Sequence, residues 1–168
     1  MINTKHLRCL IGVFGMALPV IVVILSLVFG YSFPDSISAT YFIPTCIAPF
    51  MMILGSAGVL LCTYKGYNTA DNVLNTIAGI AAWGVCLFPC AAQSGRIGTF
   101  QLPAAISDII HMISALTFFG ILAYNSLFQF TKGMPIPTPN KKKRNIIYRV
   151  CGIAMFASLL CIITLPYP

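Results

Sequence analysis

Residues 7–30 read Leu7-Arg-Cys-Leu-Ile-Gly-Val-Phe-Gly-Met-Ala-Leu-Pro-Val-Ile-Val-Val-Ile-Leu-Ser-Leu-Val-Phe-Gly30, with no charge after Arg8. An apolar run of about 20 residues is what a helix needs to cross the hydrocarbon core of a bilayer. Four more runs of that kind follow, Ile43–Tyr64, Val73–Ala92, Ala104–Phe130 and Ile146–Leu165. None alternates with the period of two that marks the strands of a membrane barrel. In lipid, the remaining way to pair every backbone group within its own segment is a helix. The runs therefore predict an all-α integral membrane bundle of five transmembrane helices, with residues 1–168 forming a single domain.

Composition points the same way. Of the 168 residues, 58% are hydrophobic and 8% charged, and the mean hydropathy is +0.91. Soluble domains carry about 25% charged residues, so a water-soluble fold is excluded. The first run is much longer than the apolar core of a secretory leader, about 7–15 residues. It is read as a retained helix.

Charge placement sets the orientation. Counting alternate loops as cytoplasmic puts Lys5, Arg8, Lys65, Lys132, Lys141, Lys142, Lys143, Arg144 and Arg149 inside, nine of the ten Lys and Arg residues, and leaves Arg96 outside. Short loops rich in Lys and Arg stay in the cytoplasm, so the N-terminus is in and the C-terminus out. This also accounts for the net charge of +7 without a nucleic-acid partner. The loop Lys132–Asn140, with proline at alternate positions, should be extended and stiff. It delivers Lys141, Lys142, Lys143 and Arg144 to anionic lipid headgroups, each worth on the order of 1 kcal/mol of attraction.

Local signals refine the picture. Thr69 or Asp71 can cap helix three. Ala78, Ala82, Cys86 and Cys90 recur every four residues along it, a stripe of small side chains suited to close packing. Gly55-Ser-Ala-Gly58 gives helix two a similar surface. Tyr31, Phe33, Tyr41 and Phe42 suit the outer interface, and Tyr64 and Tyr67 the inner one. Pro103 is placed for the first turn of helix four. The seven cysteines form no Cys-x-x-Cys motif and are read as small apolar residues, with an outer-side pairing as the alternative.

Chemistry, if any, belongs to helix four. Asp108 and His111 are three residues apart and so share a face. Ionisable groups at membrane depth usually face the bundle interior or water. Two readings stay open. In one, the pair is a proton relay, general base or polar clasp for a ligand, helped by Ser36 or Ser38. In the other it makes interhelical hydrogen bonds. The chain has only His6 and His111, on opposite sides of the bilayer, which excludes a three-histidine zinc site. A metal set could be drawn only from Asp35, Asp108 and His111, so no metal is expected, and no fingerprint of a nucleotide, haem or flavin cofactor is present.

Several stretches carry a resemblance: Ser36-Ile-Ser-Ala39, Tyr64-Lys-Gly-Tyr67, Asn75-Thr-Ile-Ala-Gly79, Leu87-Phe-Pro89, His111-x-x-Ser114-Ala115, Ala123-Tyr-Asn-Ser-Leu-Phe128 and Arg144-Asn-Ile-Ile-Tyr-Arg149. Together they resemble an uncharacterised family of small bacterial polytopic inner-membrane proteins. The resemblance implies a multi-pass protein of the bacterial cytoplasmic membrane and carries no catalytic residues across. The leading function is then non-enzymatic: binding of membrane lipid or a partner helix, with a homo-oligomer joined through the small-residue stripes of helices two and three. The alternative is a transporter or lipid-directed enzyme using Asp108 and His111.

The topology predicts that alkaline phosphatase fused after Pro168 is active in a bacterial host while a fluorescent protein fused there stays dark. The reverse pattern would remove the five-span, C-terminus-out arrangement.

Overall fold

A computed structural model describes residues 4–66, 68–132 and 139–164; the side chains of Thr4, Lys5, Leu7 and Arg8 are not described. Tyr67, residues 133–138 of the stiff loop and Leu165 at the expected end of helix five lie outside the described residues. The elements are α1 (Thr4–Val28), a 3-10 turn (Ser38–Phe42), α2 (Pro44–Thr63), α3 (Thr69–Leu87), β1 (Arg96–Ile97), β2 (Leu102–Pro103), α4 (Ala104–Tyr124, continued by a π-helical segment Asn125–Gln129) and α5 (Pro139–Thr164). All five helices are long and apolar enough to cross a membrane. The chain divides into two compact units, Met1–Ala115 and Leu116–Pro168.

The helix ends have local causes. At the end of α1, Gly30 takes φ +81°, while Tyr31 N–H donates to Ser26 O and Gly30 N–H to Leu27 O. This is the paired bonding of a glycine-terminated helix, in which the left-handed residue suits glycine. Helix α3 starts four residues before the expected Val73, because Asn68 caps it: its Oδ1 accepts from Asp71 N–H at 2.8 Å. The cap is thus Asn68 in place of Thr69 or Asp71. Helix α3 also stops at Leu87, five residues short of the expected Ala92. Pro89, which has no N–H to continue the ladder, follows at once. Pro103 is not in helix four but in a short antiparallel pair, opposite Arg96. Helix α5 begins at Pro139, seven residues before the expected Ile146, so the basic run 141–144 is helical.

In the first unit, α2 is the central element, packed on both α1 and α3. Val22, Cys46, Phe50, Leu54, Leu61, Ala78, Ala82, Val85 and Cys86 form its buried core. The Cys46 thiol donates to Val22 O at 3.3 Å, tying α2 to α1. Helices α2 and α3 meet through glycines. A Cβ on Gly79 would lie 2.5 Å from Gly58 O and against Cys62 Sγ; one on Gly58 would lie 2.9 Å from Gly79 O. Gly58 of the Gly55–Gly58 surface of α2 thus meets Gly79 of α3 within the chain, with the Trp83 ring against Gly55. Tyr41 and Tyr64, expected at the interfaces, are buried instead. The 3-10 turn places the Tyr41 ring edge-on to Phe50 at 6.5 Å. All seven cysteines are free thiols.

In the second unit, Gly152 lets α5 approach α4: a Cβ there would lie 2.6 Å from the Leu127 side chain and 3.2 Å from Ala123 O. Ser126 Oγ donates to Tyr148 O at 2.7 Å, and the Phe130 and Tyr148 rings pack at 5.4 Å. Gly152 is the one residue of α5 that is buried among those described.

Replacing Gly79 by Ala should lower stability by about 1–3 kcal/mol, because the added methyl meets backbone that cannot yield. Gly120→Ala, with no heavy atom within 4 Å of the new Cβ, should be neutral or slightly stabilising. Thermal unfolding of the two variants in detergent compares them directly; equal melting temperatures would contradict the α2–α3 contact.

Candidate functional site

Where Pro89 breaks α3, the peptide groups just beyond Leu87 lose their helical partners. Three side chains on the first two turns of α4 take them over. Ser107 Oγ donates to Pro89 O at 2.7 Å, Asp108 Oδ1 accepts from Ala91 N–H at 2.9 Å, and His111 Nδ1 donates to Phe88 O at 2.8 Å. Ser107 and His111 are buried and Asp108 is half-buried. Pro89 is itself fully buried, with Gly98 pressed on its ring, so that a Cβ on Gly98 would lie 2.7 Å from Pro89 Cδ. Gly98 has φ +74° within the loop joining β1 to β2, and glycine meets both demands. One turn further along α4, Ser114 lies against Gly84, where a Cβ would meet its Oγ.

His111 makes a second contact. Its Nε2 is 3.1 Å from Ser38 Oγ, at the start of the 3-10 turn between α1 and α2. The tautomer follows from the partners. A carbonyl such as Phe88 O only accepts, so Nδ1 carries the proton. The neutral ring then offers a lone pair at Nε2, and the Ser38 hydroxyl donates to it. Ser36 acts locally, its Oγ accepting from Ala39 N–H at 3.1 Å, which holds the turn that presents Ser38. Thr40, also buried, donates to Ile37 O at 2.6 Å within the same turn.

The residues singled out from the sequence are therefore sorted by position. Ser38 and His111 come together, although 73 residues apart. Asp108 is on the same helical turn, yet its carboxylate bonds to Ala91, not to the imidazole. Asp35 is exposed in the loop after α1. Among the described residues no three His, Cys, Asp or Glu side chains come together to hold a metal, so the set Asp35, Asp108 and His111 is not assembled. Cys90, half-buried beside Asp108, has its thiol pushed up: burial raises it most, the Ala92 N–H opposes this, and the Asp108 charge raises it further. A thiol so placed stays protonated and unreactive at neutral pH.

At the other end of the chain, Lys141 Nζ donates to Lys132 O at 2.7 Å, while Lys142, Lys143 and Arg144 are exposed along the first turns of α5. The π-helical segment has no counterpart in the sequence reading. Asn125, Ser126 and Gln129 are buried there, and its pitch shows in the Phe130 N–H bond to Asn125 O at 2.9 Å. Three polar residues in five positions of an apolar run were the available signal. Comparison with protein-family models, with curated proteins and with solved structures gave no match.

The bonds to residues 88–91 rank the effects of substitution. His111→Ala strands a buried carbonyl and a hydroxyl and leaves a cavity, and should cost about 2–4 kcal/mol. Ser107→Ala strands one carbonyl, about 1–2 kcal/mol. Asp108→Asn keeps an oxygen that accepts from Ala91 and should cost under about 1 kcal/mol. Melting temperatures in detergent give the order; an Asp108→Asn loss as large as that of His111→Ala would mean that carboxylate and imidazole act as one unit.

Proposed function

We propose that this chain is a small multi-pass protein of a bacterial cytoplasmic membrane, N-terminus in and C-terminus out, whose role is to bind membrane lipid and partner helices. The observation that carries the reading is helix α5. It is 26 residues long, almost wholly exposed, and apolar after its first turns, with Ile146, Ile147, Val150, Ile153, Leu160 and Ile163 each more than half exposed. Helix α1 is similar, with Met16 and Val28 72% exposed. Apolar surface on this scale needs lipid or another helix to cover it. Lys142, Lys143 and Arg144 at the start of α5 supply the complementary charge for anionic headgroups on the cytoplasmic side. The inner-membrane assignment draws on the resemblance described above and on the one-sided placement of Lys and Arg.

This role places partner contacts on α1 and α5, whose apolar side chains are the most exposed, while Gly55 and Gly58 of α2 are covered by α3. It also assigns Ser107, Asp108 and His111 to holding the chain at the break after α3. A transporter built on Asp108 and His111 has less support, because both side chains are already bonded to backbone.

Native mass spectrometry of the gently solubilised protein tests the reading. Wild type should retain anionic phospholipid, and replacing Lys141, Lys142, Lys143 and Arg144 by Gln should reduce it at least ~10-fold, given roughly 1 kcal/mol per charge. Asp108→Asn/His111→Ala should keep the same lipid. Loss of the ligand in that double variant alone would move binding to α4 and end the reading offered here.

A further inference from the structure

The contact between Ser38 and His111 exceeds what holding the chain at Pro89 requires. Phe88 O would be satisfied by Nδ1 alone, and the other ring nitrogen faces a serine hydroxyl from a different part of the chain, at 3.1 Å. Three features match an activated serine. The hydroxyl is within hydrogen-bond reach of a neutral imidazole nitrogen that can take its proton. The far nitrogen is fixed by an acceptor, which locks the tautomer and the ring plane, the part an aspartate plays in the familiar triad. The base is held in place, since His111 is 3% exposed, while Ser38 is only half-buried.

The geometry points to Ser38 and His111 as a nucleophile–base pair that takes acyl groups from the carboxylic esters of membrane lipid, with the Phe88 carbonyl as the group that orients the base. Depth selects the substrate class. His111 is seven residues into α4, about 10 Å from its start at 1.5 Å per residue. In the orientation proposed above this is the outer boundary between headgroups and hydrocarbon, where the ester linkages of glycerolipids lie. The step balances without a cofactor. Ser38 Oγ bonds to the ester carbonyl carbon as its proton passes to His111 Nε2. The bond from that carbon to the alcohol oxygen breaks, and Nε2 returns the proton to the leaving alcohol. Water, deprotonated by the same nitrogen, then cleaves the acyl-serine to a carboxylic acid and regenerates the hydroxyl. This goes beyond lipid binding, which needs no chemical step and uses other residues.

The test is covalent labelling of the full-length protein in nanodiscs of phosphatidylethanolamine and phosphatidylglycerol, using a fluorophosphonate probe and mapping the adduct by peptide mass spectrometry. The expected result is an adduct on Ser38 that forms ~100-fold more slowly in His111→Ala, the usual contribution of a general base. It should be absent in Ser38→Ala and retained in Ser94→Ala, a change at an exposed serine outside the site. Because His111→Ala loosens the fold, the rate is also followed against pH in wild type, where it should fall as the imidazole protonates. No adduct on Ser38 in folded wild type, or one whose rate is the same in His111→Ala and at all pH values, overturns the assignment. Release of fatty acid from the nanodisc lipid by wild type but not Ser38→Ala assigns the lipid ester. Turnover of soluble p-nitrophenyl esters alone overturns that choice of substrate. Lipid retention in the mass spectrometer is read separately, so failure of the chemistry and failure of lipid binding are distinguishable.

Discussion

The chain breaks a helix at Pro89, and much of the first unit answers that one constraint. Three peptide groups within four residues lose their helical partners, Phe88 O, Pro89 O and Ala91 N–H, and a buried one left unpaired, as Pro89 O would be, costs about 1–3 kcal/mol. Helix α4 meets them with His111, Ser107 and Asp108. The polar face of α4 is thus explained first as hydrogen bonding owed to a proline. Gly98, packed on the proline ring, completes the enclosure.

That constraint also fixes the histidine. Its Nδ1 proton is committed to Phe88 O, and this commitment makes Nε2 an acceptor toward Ser38. A bond formed for structural reasons therefore leaves behind a chemically defined base. Asp108, by contrast, is held on Ala91 and stabilises the loop with a charge-assisted bond. Two neighbouring ionisable residues on one turn have separate duties because they reach different backbone groups.

Several features were legible in the sequence. Five helices of membrane-crossing length followed from the apolar runs, since length and lack of charge alone decide whether a helix can cross a membrane, and all five are present. The packing use of Ala78, Ala82 and Cys86 was legible from their four-residue spacing, and they are fully buried, whereas Cys90, the fourth of that stripe, lies beyond the end of α3 and is half-buried. Other features were not. Apolar runs do not register where a helix is capped, so α3, capped by Asn68, and α5, from Pro139, begin before their apolar parts. Aromatics that fit an interface belt by position turned inward where a 3-10 turn or a helix end allowed it, as for Tyr41 and Tyr64. The π-helical pitch at Asn125–Gln129 is not marked by any periodicity of the apolar run.

By itself the sequence determined the class of this protein: all-helical, with five apolar helices of membrane-crossing length, a basic cluster at one end of the last and a polar turn on the fourth. Those are properties of composition and local spacing, which a single segment expresses alone. The tertiary structure decided which polar groups meet. Ser38 and His111 are 73 residues apart and Ser107 and Pro89 are 18 apart, and no local preference relates them. They are brought together because buried backbone groups must find partners, and in an apolar interior those partners come from whichever helix packing places alongside.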